Sequence, residues 1–266
     1  MRGRVFPPSC CMFRWENGGT EMYFELPKER RTEFDRWISD REAELLLLAK
    51  EVVERGSQML EDLMGRTVRR EFGRSSPELH RGYYTRNPAM HACIENVHRG
   101  RILKRNPRKM AGIFEYLFDV EDRMVGYVHH PMDGDLMQVV AILRRGSVEY
   151  DLDCAKIGNE LQLNCIWRYD LEAGRTDTEL VYDVSLQRAN WLTHFLYAGE
   201  ELREAHFFQC LGAAMEGVDD EILAMICGTG QSVAAQRTAM RTLRYQYLRC
   251  LLRRDADGEF VKGWED

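Results

Sequence analysis

The chain has 266 residues, 44% of them hydrophobic and 30% charged, and a formal net charge of −6 at pH 7. That length accommodates one large domain or two small ones, and its folding buries enough surface to form a core without staples. The composition excludes wholesale disorder, a collagen-like repeat and a disulfide miniprotein, and the negative total gives no general attraction to nucleic acid.

The charge is segregated along the chain. Between Arg66 and Lys109, twelve basic residues stand against three acidic ones, Glu71, Glu78 and Glu95; between Met110 and Val184, six basic residues stand against fifteen acidic ones. Arginine supplies 31 of the 37 cationic side chains, and its planar guanidinium suits bidentate contact with carboxylate and phosphate. The eight cysteines include the adjacent pair Cys10–Cys11 and no Cys-x-x-Cys. Free thiols, a reducing cytoplasm and no cysteine-held zinc are therefore expected. Val5–Phe6 runs straight into Pro7–Pro8, and no run of eighteen apolar residues occurs, so neither a secretory leader nor a membrane partner is expected.

Residues 1–27 carry Pro7, Pro8, Gly18, Gly19 and Pro27 and read as an irregular arm, with a short strand at Met22 to Leu26. From Lys28, apolar residues Phe34, Trp37, Ile38, Leu45, Leu48, Val52 and Val53 recur at three- and four-residue steps and predict a helix. Gly56 ends it, and Ser57 caps a shorter helix running to Met64. The basic connector over 65–110 holds a strand at Thr67 to Phe72 and, behind Asn87–Pro88, either a short helix or an extended segment to Val97.

The stretch 111–184 is the clearest β region. Ile113 to Phe118, Met124 to His130, Met137 to Leu143, Ser147 to Leu152, Glu160 to Tyr169 and Thr178 to Val184 are separated by turn signals such as Arg145–Gly146 and Ala173–Gly174. They predict an antiparallel meander. Leu161, Leu163, Cys165 and Trp167 alternate with Glu160, Gln162, Asn164 and Arg168, which predicts one buried and one solvated face. From Glu115 to Val125 the chain resembles one hairpin of the tyrosine–aspartate repeats of Rhs-type toxin shells. Asp122 stands where those repeats have a turn glycine, so the match is read as a common hairpin solution.

The stretch 185–254 reads as helical, with helices from Arg188 to Gly212, Asp220 to Cys227 and Ser232 to Arg254, and 255–266 reads as a loose tail. The expected fold is one α+β domain over 28–254, a central antiparallel β-meander of about six strands covered by N-terminal and C-terminal helices.

Motifs with catalytic spacing fail on detail. Gly228-Thr229-Gly230-Gln231-Ser232 lacks the lysine of a phosphate-binding loop, and no histidine follows Ser232 to complete a hydrolase triad. Asp151-x-Asp153 with Lys156 is one residue too long for a restriction-type nuclease, and His91, Cys93 and His98 match no metal-ligand spacing. No catalytic residue, metal or cofactor is assigned; a hydrolase or metal-dependent nuclease is the last alternative.

Two charged sets point to partners. Asp151, Asp153, Asp170 and Asp183 are expected on the solvent face of the meander, where they would engage a basic protein. The leading expectation is thus a non-catalytic protein-binding module, of the toxin-neutralising or immunity type. Arg99, Arg101, Lys104, Arg105, Arg108 and Lys109 place six cations in eleven residues around the Asn106–Pro107 turn, with no acid among them. They give the alternative of phosphate contact and nucleic-acid binding, against a plainer reading in which they pair with the acidic sheet.

Overall fold

The computed structural model describes residues 28–74, 87, 100–132, 136–157, 160–210, 245–254, 256 and 260–262. Helix α1 (Lys28–Arg55) forms where the apolar spacing predicts it and buries Ile38, Leu45, Leu48, Ala49 and Val52 along one stripe. Gly56 ends it in the left-handed region at φ 55°, a conformation that costs glycine nothing. Helix α2 (Ser57–Met64) follows directly and buries Met59, Leu60 and Leu63.

The rest of the described chain is one antiparallel sheet. Its strands are β1 (Arg69–Arg74), β2 (Arg101–Ile102), β3 (Ile113–Phe118), β4 (Met124–His130), β5 (Leu136–Arg145) and β6 (Val148–Ile157). They continue with β7 (Glu160–Glu172), β8 (Arg175–Asp183), β9 (Arg188–Ala198), β10 (Glu201–Cys210), β11 (Tyr245–Arg254) and β12 (Phe260–Lys262). The spatial order is β12-β11-β10-β9-β8-β7-β6-β5-β4-β3-β1-β2, so only the insertion of β1 between β2 and β3 departs from a meander.

This corrects the expected α+β arrangement. The sheet has twelve strands rather than about six, and the region 185–254 supplies β9, β10 and β11 where helices were expected. Both helices among the described residues are N-terminal. The physical reason is that β9 is apolar on both sides. Leu192 joins the core beneath the helices, whereas Phe195 joins a second cluster with Leu202, Ala205, Phe207, Cys250 and Leu252, against which Trp191 packs. A strand buried on both faces loses its two-residue alternation, and its apolar residues then mimic a helical stripe. The expected helices at 88–97 and 220–227, the first part of that at 232–254, the arm 1–27 and the Gly228–Ser232 motif lie outside the described residues.

Alternation also misleads inside β7. Asp153 pairs with Cys165 and Cys154 with Leu163, so Asn164 is the extra residue of a bulge. A one-residue shift sends every later side chain to the other face. Leu161 and Leu163 therefore face the helices together with Ile166, while Cys165 and Trp167 face away. Arg168, expected on the polar face, points toward α1.

The β3–β4 turn closes without a glycine. Asp122 adopts φ 61°, and Asp119 Oδ1 accepts the backbone N–H groups of Glu121 and Arg123, both at 2.9 Å. Those backbone donors, Arg123's foremost, hold the Asp119 carboxyl below its usual range despite burial.

Gly126 on β4 leaves no room for a side chain, because a Cβ there would stand 2.3 Å from the Val140 carbonyl oxygen of β5. Gly126→Ala is expected to force the two strands apart and lower stability by about 1–3 kcal/mol. Urea unfolding of the two proteins measures this as a lower midpoint at unchanged slope.

Candidate functional site

Three polar arrangements stand out from the sheet: a clamp beneath α1, an acid-bearing opposite face, and a basic edge.

The clamp is centred on Arg168. Its Nε and Nη2 donate to Asp170 Oδ1 at 3.1 and 2.6 Å, and its Nη1 donates to Glu44 of α1. Tyr150 Oη also donates to Glu44. Asp170 Oδ2 accepts Thr178 Oγ1 at 2.9 Å and Arg41 Nε at 3.4 Å, and the Arg41 guanidinium lies 3.6 Å from the centre of the Trp37 ring. Burial alone would push Asp170 up and Arg168 down, but their mutual hydrogen bonds and charge outweigh it, so Asp170 is held below its usual range and Arg168 above. Tyr150 is pushed up to about 12 by burial and then by Glu44. All these groups are engaged with one another, so the clamp seats the helix.

Nearby, His194 and His206 are cross-strand partners whose rings lie 6.4 Å apart, and His206 Nε2 is 3.0 Å from Glu204. Burial lowers the His194 pKa, and His206 lowers it further. No group of three or more possible metal ligands occurs among the described residues.

The opposite face carries Glu149, Asp151, Asp153, Glu179 and Asp183. Glu149 accepts Arg144 Nε at 2.7 Å. Glu179, with no exposed surface, accepts Asn87 Nδ2 and Thr193 Oγ1, both at 2.7 Å. Asp183 Oδ1 closes the β8–β9 turn by accepting the Ser185 hydroxyl at 2.6 Å and the backbone N–H groups of Ser185 and Leu186. Asp153 Oδ2 accepts Gln138 Nε2 at 3.1 Å and Cys165 Sγ at 3.5 Å. The four aspartates expected on one solvent face are thus divided: Asp151, Asp153 and Asp183 face away from α1, and Asp170 faces it. Asp170 and Asp183 are held in intramolecular contacts.

The basic set is differently placed. Among the described residues β2 is the terminal strand of the sheet, and its register puts Arg101 directly opposite Arg74 of β1. Leu103 N–H donates to the Phe72 carbonyl at 2.8 Å and fixes the start of the following loop to the edge. Arg74, Arg101, Lys104, Arg105, Arg108 and Lys109 are all exposed; Arg99 lies outside the described residues. Among the described residues these six cations have no acidic partner. Described acids near them in sequence are occupied elsewhere: Glu71 pairs with Arg69, Glu115 accepts Arg70 at 2.6 Å and lies 3.2 Å from His130, and Asp119 binds Arg123, while Glu78 and Glu95 lie outside the described residues.

Sequence reasoning located the basic loop but missed Arg74, whose place beside Arg101 depends on strand pairing across 27 positions. It also missed the clamp, which depends on the β7 bulge. No helix among the described residues is long and apolar enough to cross a membrane. No protein-family model, curated protein or solved structure matches the chain.

Because the folded state holds Asp170 ionised, its contribution is complete above the unfolded carboxyl value of about 3.9 and is lost as pH falls through the lower folded value. Asp170→Asn is expected to cost about 1–3 kcal/mol at pH 7. It should also flatten the acid limb of stability below about pH 4. Thermal melts from pH 2 to pH 7 test both.

Proposed function

We propose that the protein binds nucleic acid through the basic sheet edge formed by Arg74, Arg101, Lys104, Arg105, Arg108 and Lys109. The observation that carries this reading is a set of six exposed cations with no acidic partner among the described residues. Like charges directly opposite across an antiparallel ladder are destabilising. The Arg74–Arg101 pair is therefore a local cost that a bridging phosphate offsets. Four of the six are arginines, whose forked donors match phosphate oxygens better than a point charge does.

The chain as a whole is negative, so a polyanion is repelled from most of the surface and attracted to this edge. Phosphate contacts of this kind position a nucleic acid without reading its bases, and the preference expected is for backbone over sequence. Cys154, Cys165 and Cys250 are free thiols. A cytoplasmic setting is part of the same reading. The leading sequence expectation, an acidic face for a basic protein, has less support because Asp170 and Asp183 already have partners in the fold.

Titration with a 20-nucleotide single-stranded RNA at several salt concentrations tests the proposal. Engaging about five or six phosphates gives a slope of log K against log salt near −4, from about −0.7 per phosphate. Replacing Lys104, Arg105, Arg108 and Lys109 together by alanine is expected to weaken binding by more than about tenfold and shrink the slope to near −1. Absence of binding, or binding unchanged in the quadruple variant, would overturn it.

A further inference from the structure

Three linked side chains lie beside the basic edge without belonging to it. Arg70 on β1 donates through Nη1 to Glu115 Oε1 of β3 at 2.6 Å, and His130 Nε2 on β4 lies 3.2 Å from Glu115 Oε2. A carboxylate paired with arginine only accepts, so Nε2 carries the proton and donates. That fixes the tautomer and leaves the lone pair of the neutral ring on Nδ1. Nδ1 has no hydrogen-bond partner among the described residues and is not shielded, so the half-buried ring offers it to solvent. A histidine held at one nitrogen by a carboxylate and open at the other is oriented as a general base.

The fold sets this nitrogen at the end of the basic loop. Register places Arg101, Arg74, Ile113 and His130 in one row across β2, β1, β3 and β4, so their side chains share a face. Arg74 and His130 stand two strand spacings apart in that row, about 9.5 Å. The loop carrying Lys104, Arg105, Arg108 and Lys109 leaves the edge at Leu103 and comes back at Gly112, whose N–H donates to the His130 carbonyl at 2.6 Å. A phosphodiester backbone that follows these cations is therefore led to His130. Arg70 is exposed and engages only Nη1, so its remaining donors are open to phosphate oxygens. The arrangement suits an extended polyanion lying on the surface rather than a small molecule in a pocket.

We propose that the protein cleaves RNA held at the basic edge, with His130 as the general base. This activity rests on the nucleic-acid binding proposed above. His130 Nδ1 takes the proton of a ribose 2′-hydroxyl, whose oxygen bonds to the adjacent phosphorus as the bond from phosphorus to the 5′ oxygen breaks. That oxygen leaves with a proton from water, giving a 5′-hydroxyl and a 2′,3′-cyclic phosphate, and His130 returns its proton to solvent. The step balances without a further reactant. Arg70 and the loop cations stabilise the charge that builds on the non-bridging oxygens. Glu115 touches no reacting atom; it is a positioning residue that holds the ring and its tautomer. DNA lacks the 2′-hydroxyl and is bound but not cut.

Incubation of the full chain with the 20-nucleotide RNA in EDTA, with products resolved by mass spectrometry, tests this. Paired fragments, one ending in a 2′,3′-cyclic phosphate and one beginning with a 5′-hydroxyl, are expected, and none from DNA of the same sequence. His130→Ala is expected to lower kcat about 100-fold or more, with Kd for uncleavable 2′-O-methyl RNA changed less than about threefold. Added imidazole is expected to restore part of that rate. Glu115→Gln is expected to lower kcat at least about tenfold at unchanged KM. Should His130→Ala fail to fold, the wild type still decides the matter, because RNA with a single 2′-deoxy residue is expected to be spared at that linkage alone. Binding of the 2′-O-methyl RNA without cleavage of the RNA would overturn the cleavage activity and leave the binding reading standing; no binding of either would overturn both. Cleavage of DNA at the same rate, cleavage at the 2′-deoxy linkage, or a folded His130→Ala protein as active as the wild type would also overturn it.

Discussion

The seating of α1 on the sheet by Arg168 is the interaction on which the rest of the architecture depends. The helix contributes Leu45, Leu48, Ala49 and Val52 to a core completed by Tyr150, Leu152, Ile166, Leu180 and Leu192 from strands β6 to β9. Apolar burial drives that contact without direction. The Glu44–Arg168–Asp170 chain, with Tyr150 and Arg41 at its ends, supplies the direction, because a guanidinium satisfied on two sides accepts only one placement of the helix. A half-formed clamp would leave a buried charge without its partner, which costs more than never having placed one there. The clamp therefore acts as a registry device as well as a source of stability.

With one side of the sheet so covered, the character of the other follows. Its aromatic clusters, Phe114–Tyr116–Phe118–Tyr127 on one part and Phe195–Phe207 on another, flank strands that carry Glu149, Asp153, Glu179 and Asp183. Most of those acids are occupied by named donors, and burying charge in this way is tolerable because the donors are present. Asp153 keeps one shielded carboxyl oxygen, Oδ1, without a hydrogen-bond partner among the described residues. The basic residues take the remaining place, at the end of the strand order among the described residues. An edge lined with cations also resists unwanted pairing with another chain, so Arg74 and Arg101 serve the fold as well as the proposed function.

How much of this was legible in the sequence follows from periodicity and range. The bounds of β3 and β4 fall where the local signals put them, since turn residues act within a few positions, whereas α2 is capped by Gly56 rather than by the expected Ser57. β9 was illegible as a strand because burial on both faces erases alternation. The two-residue turn at Gly199–Glu200, between two long aromatic runs, was the signal pointing to a hairpin there, and Gly199 does adopt φ 64°. The clamp was hidden by the bulge at Asn164, which no pattern of hydrophobicity announces. Of the candidate sites, the basic loop was readable because its charge is contiguous, whereas the division of the four aspartates between two faces required the register.

The nucleic-acid reading is tested most directly by locating the contact. Amide hydrogen exchange of the full chain, with and without a saturating 20-nucleotide RNA, reports which backbone groups the ligand shields. Added protection is expected over 69–74 and 100–109, with the strands β6 to β8 unchanged. Protection confined to β6–β8, with none at the β1–β2 edge, would contradict it.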